Sequence, residues 1–137
     1  MERLMGKLPK SLAILGALLL GACQSSSSTL ADAQRVCQSG ASHVEVHFSG
    51  TVARYLGTHY SQSGEHEGFL VMPSGSTNSL MVEDNVNLSG FIPMRRGDAV
   101  ELQGQYECND SVIHWTHHDP SGRHVAGFVI VNGRRFQ

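Results

Sequence analysis

The sequence predicts a mainly β domain, a small closed barrel preceded by one short helix. Three observations predict it. Apolar and polar residues alternate from His43 onward, turn-forming clusters separate short apolar runs, and Gly50 sits inside the longest alternating run.

The elements follow in order. Leu30, Ala33, Val36 and Cys37 are spaced for one face of a short helix. Val44, Val46, Phe48, Gly50 and Val52 then alternate with His43, Glu45, His47, Ser49 and Thr51, a half-buried strand. The stretch carrying His59 is read as loop. Residues 67–72 form a second strand, stopped by Pro73-Ser74-Gly75-Ser76, and 79–83 form a third. Residues 85–96 lack a clean period and read as a connection with at most a helical turn. Gly97-Asp98 opens a strand whose Val100, Leu102, Gly104, Tyr106 and Cys108 share one face. Residues 112–117 pair with it across Asn109-Asp110-Ser111. Asp119-Pro120-Ser121-Gly122 specifies a turn into a strand at 127–131, and Asn132-Gly133 is a type I′ hairpin signal before 134–137. A bent first strand and an irregular crossover after the third strand suit an OB-like barrel better than a sandwich.

Ahead of this domain, Arg3, Lys7 and Lys10 accompany an apolar stretch over 12–20 that is short for a membrane span. It ends in Leu20-Gly21-Ala22-Cys23, which resembles the lipobox cut by the lipoprotein signal peptidase. A thiol is needed there to accept the diacylglycerol, and small residues admit the peptidase. Residues 1–22 are therefore expected to be a lipoprotein signal peptide, 23–29 a lipidated Cys23 with a flexible serine-rich tether, and 30–137 the domain. A plain secretory signal with a chance cysteine is the alternative. Acyl chains such as palmitate on Cys23, at about 0.8 kcal/mol per buried methylene, would make the membrane a partner without a spanning helix.

Losing residues 1–22 removes both lysines, Arg3 and Glu2. Seven arginines against eleven acids leave a net charge of −4 with histidines neutral. That balance disfavours general nucleic-acid binding, which depends on neutralising phosphates. With Cys23 acylated, Cys37 and Cys108 remain as an even pair in an oxidising compartment and are read as a disulfide, two free buried thiols being the alternative.

The densest chemistry lies in His114-Trp115-Thr116-His117-His118-Asp119-Pro120, followed by Arg123 and His124. On a continuous strand His114, Thr116 and His118 would face one way, with Ile113, Trp115 and His117 opposite. The turn could then return His124 towards His118. His114, His118 and His124 are the candidate metal set, with zinc or copper as the ion and Asp119 as a carboxylate that orients one imidazole. The same four residues are the candidates for acid–base catalysis, because histidine titrates near neutral pH. The bland alternative is a set of hydrogen-bonding turn residues, with Asp119 and Pro120 acting through conformation. No Gly-x-Ser-x-Gly, P-loop, Cys-x-x-Cys or His-Glu-x-x-His pattern is present.

Residues 112–120, with Gly122-Arg123-His124, Gly127 and the closing Phe136-Gln137, resemble a family of small bacterial envelope proteins catalogued only as a domain of unknown function. Gly97-Asp98-x-Val100 and Gly104-x-Tyr106-Glu107-x-Asn109 match it as well, and Gly50-x-Val52 and His66-x-x-Phe69 match more loosely, so the resemblance covers about residues 44–137. Two departures stand out. Asp84-Asn85-Val86-Asn87 replaces a His-Asn-Ile-Asp-like segment, and Cys108 and Phe128 stand where the family tends to have tryptophan. The resemblance supports the domain assignment and carries no activity.

The function expected is a noncatalytic, lipid-anchored envelope module that binds an envelope protein partner or a small ligand. The alternatives are a histidine-based or metal-dependent hydrolase of a phosphodiester or other envelope substrate, and a zinc- or copper-binding protein. Gln24, by resemblance to other lipoproteins, lacks the aspartate that retains them at the inner membrane. The expected location is the outer membrane, facing the periplasm.

Overall fold

The structure, a computed structural model, describes residues 30–137. The expected signal peptide, the lipidated Cys23 and the tether lie outside the described residues. Among the described residues no helix is long and apolar enough to cross a membrane.

Helix α1 (Leu30–Gln38) packs through Ala33, which is fully buried, and Cys37. Val36, expected on the same face, is exposed. The helix ends where Gly40 takes φ +98° and its N–H donates to the Cys37 carbonyl. A Cys37–Cys108 disulfide ties it to the end of strand β4 (Ala99–Glu107), with Cα atoms 5.4 Å apart. The pairing read from the cysteine count is the one present.

Strand β1 (His43–Ser61) is much longer than the alternation indicated. Its first half, His43 to Thr51, pairs antiparallel with β4, and its second half, Gly50 to Ser61, pairs with β2 (Gly64–Pro73). The strand passes from one partner to the other at Gly50. A Cβ there would lie 2.2 Å from the Met72 carbonyl oxygen, so only glycine fits the crossing. Register shifts at Val52/Arg54 and Tyr55/Gly57 bend the strand further, and Gly57 takes φ +95°. These bulges break the period of two. That is why the stretch around His59 reads as loop in the sequence and is strand in the structure.

Strand β3 (Leu80–Asn85) pairs with β2, then runs parallel to β5 (Val112–His114), which pairs with β4. Pairings β1–β2–β3–β5–β4–β1 thus close a ring through five strands. Strands β6 (Phe128–Val131) and β7 (Arg134–Phe136) extend the sheet from β4, joined through Asn132 at φ +49° and Gly133 at φ +82°. These two angles are what a type I′ turn demands. The expected connection after β3 contains one short helix, α2 (Val86–Ser89), capped by the Asn85 side chain, which accepts from the Asn87 N–H.

The core fills the ring. Val46, Val52, Phe69, Val82, Leu102 and Ile113 converge from all five strands, and Ile92, from the connection between α2 and β4, is fully buried against them. In β4 the buried positions are Val100, Leu102, Gly104 and Tyr106, as the alternation predicts.

Strand β5 is shorter than expected, and the predicted alternation through His118 does not hold. Trp115 takes φ +59°, which ends the strand at His114 and resets the side-chain order. Thr116 and His117 are consecutive and both buried, while Trp115 and His118 are exposed. The loop is closed by Gly127, whose N–H donates to the His117 carbonyl at 2.8 Å.

Candidate functional site

One cleft gathers half of the chain's eight histidines. It has a volume of about 230 Å³ and is lined by His59, Ser61, Ser63, His66, Glu83, Asn85, His114, Trp115 and His117. The strands place these residues. His59 on β1 is the cross-strand partner of His66 on β2, and His66 is the partner of Asn85 on β3. Glu83 follows Val82, which pairs with Ile113, so it comes beside His114. The rings of His59 and His66 stack, with centroids 5.7 Å apart.

Glu83 stands between two imidazoles. Its Oε1 is 3.9 Å from His59 Nε2 and its Oε2 is 3.9 Å from His114 Nδ1. Both separations exceed hydrogen-bond length. His66 is held differently: Ser61 and Ser63 hydroxyls lie 3.3 Å from its two ring nitrogens, and Nδ1 is 3.1 Å from the Gly64 carbonyl. Asn85 Nδ2 donates to the Ser63 carbonyl, and the Glu65 N–H donates to Asn87 Oδ1, which locks the β1–β2 turn against α2. Among the described residues no arginine or lysine lines the cleft, so none of them offers a permanent positive charge to a phosphate there.

Behind the cleft two carboxyl groups are wholly buried in the ring, Glu67 and Asp84. Glu67 Oε1 accepts the Ile92 N–H at 2.7 Å, while Oε2 has no hydrogen-bond partner at conventional geometry among the described residues. Burial, with Asp84 close by, pushes the Glu67 carboxyl up to about 7. Tyr55 presents its hydroxyl to this carboxyl and is itself raised, by burial and then by Glu67. Asp84 accepts hydrogen bonds from Thr116 Oγ1 at 2.6 Å and from the Ser89 hydroxyl. Burial still raises its carboxyl, with these bonds and the nearby His117 and His66 pulling the other way. Asp84 is the position where the resemblance indicated a missing histidine. It lies next to the cleft, buried.

The candidates named from sequence separate in space. His114 is in the cleft. His118 is exposed, and its carbonyl accepts the His117 Nδ1–H at 2.7 Å. His124 does not return to His118. It lies on Trp115, ring centroids 4.6 Å apart, and edge-on to His117 at 5.3 Å. Its Nδ1 donates to the Val125 carbonyl, and its buried Nε2 is 3.8 Å from Asp119 Oδ1 without a hydrogen bond. Asp119 closes the turn: Oδ1 accepts from the Ser121 N–H and hydroxyl, and Oδ2 from the His124 N–H at 2.6 Å. Desolvation opposes ionisation of Asp119, yet these bonds outweigh it and hold the carboxyl well below the usual range. His114, His118 and His124 are thus not brought together. Among the described residues no group of three or more His, Cys, Asp or Glu is placed to hold a metal ion.

Sequence reasoning missed His59, His66, Glu83 and Asn85. The usable signal was the Ser61-Gln62-Ser63-Gly64 turn, which sets His59 opposite His66 once the first strand is carried through its bulges. A larger concavity of about 730 Å³ lies between α1 and the β2–β3 turn, lined in part by Phe48, Pro73 and Ser76. Its titratable groups, His47 and Glu101, are already bonded to each other at 2.8 Å.

No curated protein and no solved structure matches the chain. A family described as "Protein of unknown function (DUF3465)" matches residues 17–137, further towards the N-terminus than the span of the resemblance. Since this match covers most of its length, the chain belongs to the DUF3465 family.

Proposed function

We propose that the chain is a lipid-anchored envelope module that binds a small ligand in the histidine-lined cleft. The observation that carries this reading is the convergence of His59, His66, Glu83 and His114 from four strands on one cleft of about 230 Å³. Polar groups that converge in a concavity on a rigid sheet suit recognition of a small molecule. The ring order and the helical crossover between β3 and β4 support an OB-like barrel as its architecture. Acylation at Cys23, with the outer membrane as the destination, rests on the lipobox and Gln24.

Native mass spectrometry of the protein released from envelope membranes tests the binding. The wild type is expected to carry a mass beyond polypeptide and acyl chains, and His66→Ala combined with His114→Ala is expected to lose it. A wild-type spectrum of polypeptide and lipid alone overturns the reading.

A further inference from the structure

We propose that Arg95, Arg96, Arg134 and Arg135 dock the barrel onto the anionic phospholipid headgroups of the membrane that holds its lipid anchor. This rests on the lipid-anchored reading and adds a second, electrostatic contact to it.

Two turns build the patch. Arg95 and Arg96 precede β4 on the turn closed by Asp98, whose Oδ2 accepts the Arg95 N–H at 2.9 Å. Arg134 and Arg135 follow the Asn132-Gly133 turn on β7. The two turns are bonded together: the Asn132 N–H donates to the Ala99 carbonyl at 3.0 Å, and the Ala99 N–H donates to Asn132 Oδ1 at 3.3 Å. All four arginines are exposed, Arg95 with 88% of its side chain. Arg134 and Arg135 lie over the Phe136 and Phe128 rings, which steadies them without neutralising them. Charge is divided sharply between this end and the rest. Segments 95–98 and 132–135 carry four arginines and one acid, a net +3, whereas the remainder of residues 24–137 carries three arginines and ten acids, a net −7.

The chain enters the domain from the arginine end. Cys37 is tied to Cys108, just past the Glu107 end of the β1–β4 ladder, while Ala31 and Gln34 lie beside Ser49 and Glu101 near its other end. Helix α1 therefore runs back along the ladder, and Leu30 points towards the end where Ala99 and the arginine turn stand. Residues 23–29 separate Cys23 from Leu30 and reach at most about 25 Å when extended. Attraction between exposed charges fades within about 8 Å at physiological salt, so a short tether attached at this end is what brings the patch into range. An anionic surface repels the acidic remainder and turns the arginines towards itself. Guanidinium groups match phosphate oxygens in bidentate geometry. A long polyanion such as nucleic acid would also run past the acidic remainder, whereas a flat bilayer meets this end alone.

The test is amide hydrogen exchange of the acylated protein in nanodiscs of phosphatidylcholine, with and without about 30% phosphatidylglycerol. We expect the anionic discs to slow exchange over 94–98 and 132–136 about threefold or more at about 0.1 M salt, and the contrast to vanish at about 0.5 M. Arg95→Gln with Arg96→Gln should remove most of the contrast, as should Arg134→Gln with Arg135→Gln. Arg123→Gln, on the turn after Pro120, should leave it unchanged. Circular dichroism establishes folding, and the exposed Arg95–Arg96 pair decides the matter alone if the β7 variant does not fold. Equal exchange in the two discs, or a contrast that survives in the folded Arg95–Arg96 variant, overturns the proposal while the acyl anchor stands. Equal slowing by a DNA oligonucleotide in neutral discs shows a general polyanion site and overturns the membrane assignment. If Cys23 proves to carry no acyl chain, the anchor reading falls and flotation with the two kinds of vesicle decides. Flotation with anionic vesicles alone then supports the arginine contact, and any other pattern overturns it.

Discussion

Glu67 and Asp84 face each other across β2 and β3 as Cα partners, and both carboxyl groups are buried with no exposed surface. Two like charges cannot both ionise cheaply there. Burial raises both, Glu67 to about 7.

The sign of the resulting pH dependence follows from linkage. The folded state holds the Glu67 proton more tightly than the unfolded chain, whose carboxyl titrates near 4.5. The stabilisation is complete below that value and is lost as pH rises through about 7. At most about 3 kcal/mol is involved. Glu67→Gln keeps an oxygen for the Ile92 N–H and abolishes the titration. Urea midpoints between about pH 4.5 and 8 should fall for the wild type relative to the variant, and the variant should be the more stable at the upper end. Parallel curves would refute the assignment.

The Cys37–Cys108 bond closes a loop spanning a sequence separation of 71 and is the one covalent tie between α1 and β4. Chain entropy assigns it about 4 kcal/mol. Paired Cys37→Ser and Cys108→Ser should lower unfolding free energy by that order and speed amide exchange in α1 before the ring strands. Protein purified without reductant should be two hydrogens lighter than the dithiol. A full-mass dithiol, or a melting temperature unchanged by the substitutions, would count against it.

Gly127 packs where no side chain fits. A Cβ would lie 2.1 Å from the Trp115 carbonyl oxygen and 2.6 Å from that of Gln103, both backbone atoms. Gly127→Ala should therefore push Trp115 off its position and cost roughly 1–3 kcal/mol or more. Trp115 is the single tryptophan, so its emission reports the shift directly. Near-wild-type stability and emission in the variant would show that the loop closes some other way.

Cys23→Ser is expected to abolish acylation and leave the signal uncut by the lipoprotein peptidase. Metabolic labelling with a fatty-acid probe measures this. Equal label in wild type and variant would remove the lipid anchor from the reading.

By itself the sequence determined the β class, the alternating face of β4, the Asn132-Gly133 hairpin and the disulfide. These depend on local period, on turn chemistry or on counting cysteines, all of which act over a few residues or none. Tertiary structure alone decided the cleft. His59, His66, Glu83 and His114 meet only because β1 continues through two bulges and β3 runs parallel to β5, and neither leaves a local pattern. A left-handed Trp115 likewise turned Thr116 and His117 inward together, against the period of two that the sequence suggested. Backbone strain at one residue is sustained by the contacts around it. Gly127 and the Asp84–Thr116 bond supply those contacts from elsewhere in the chain.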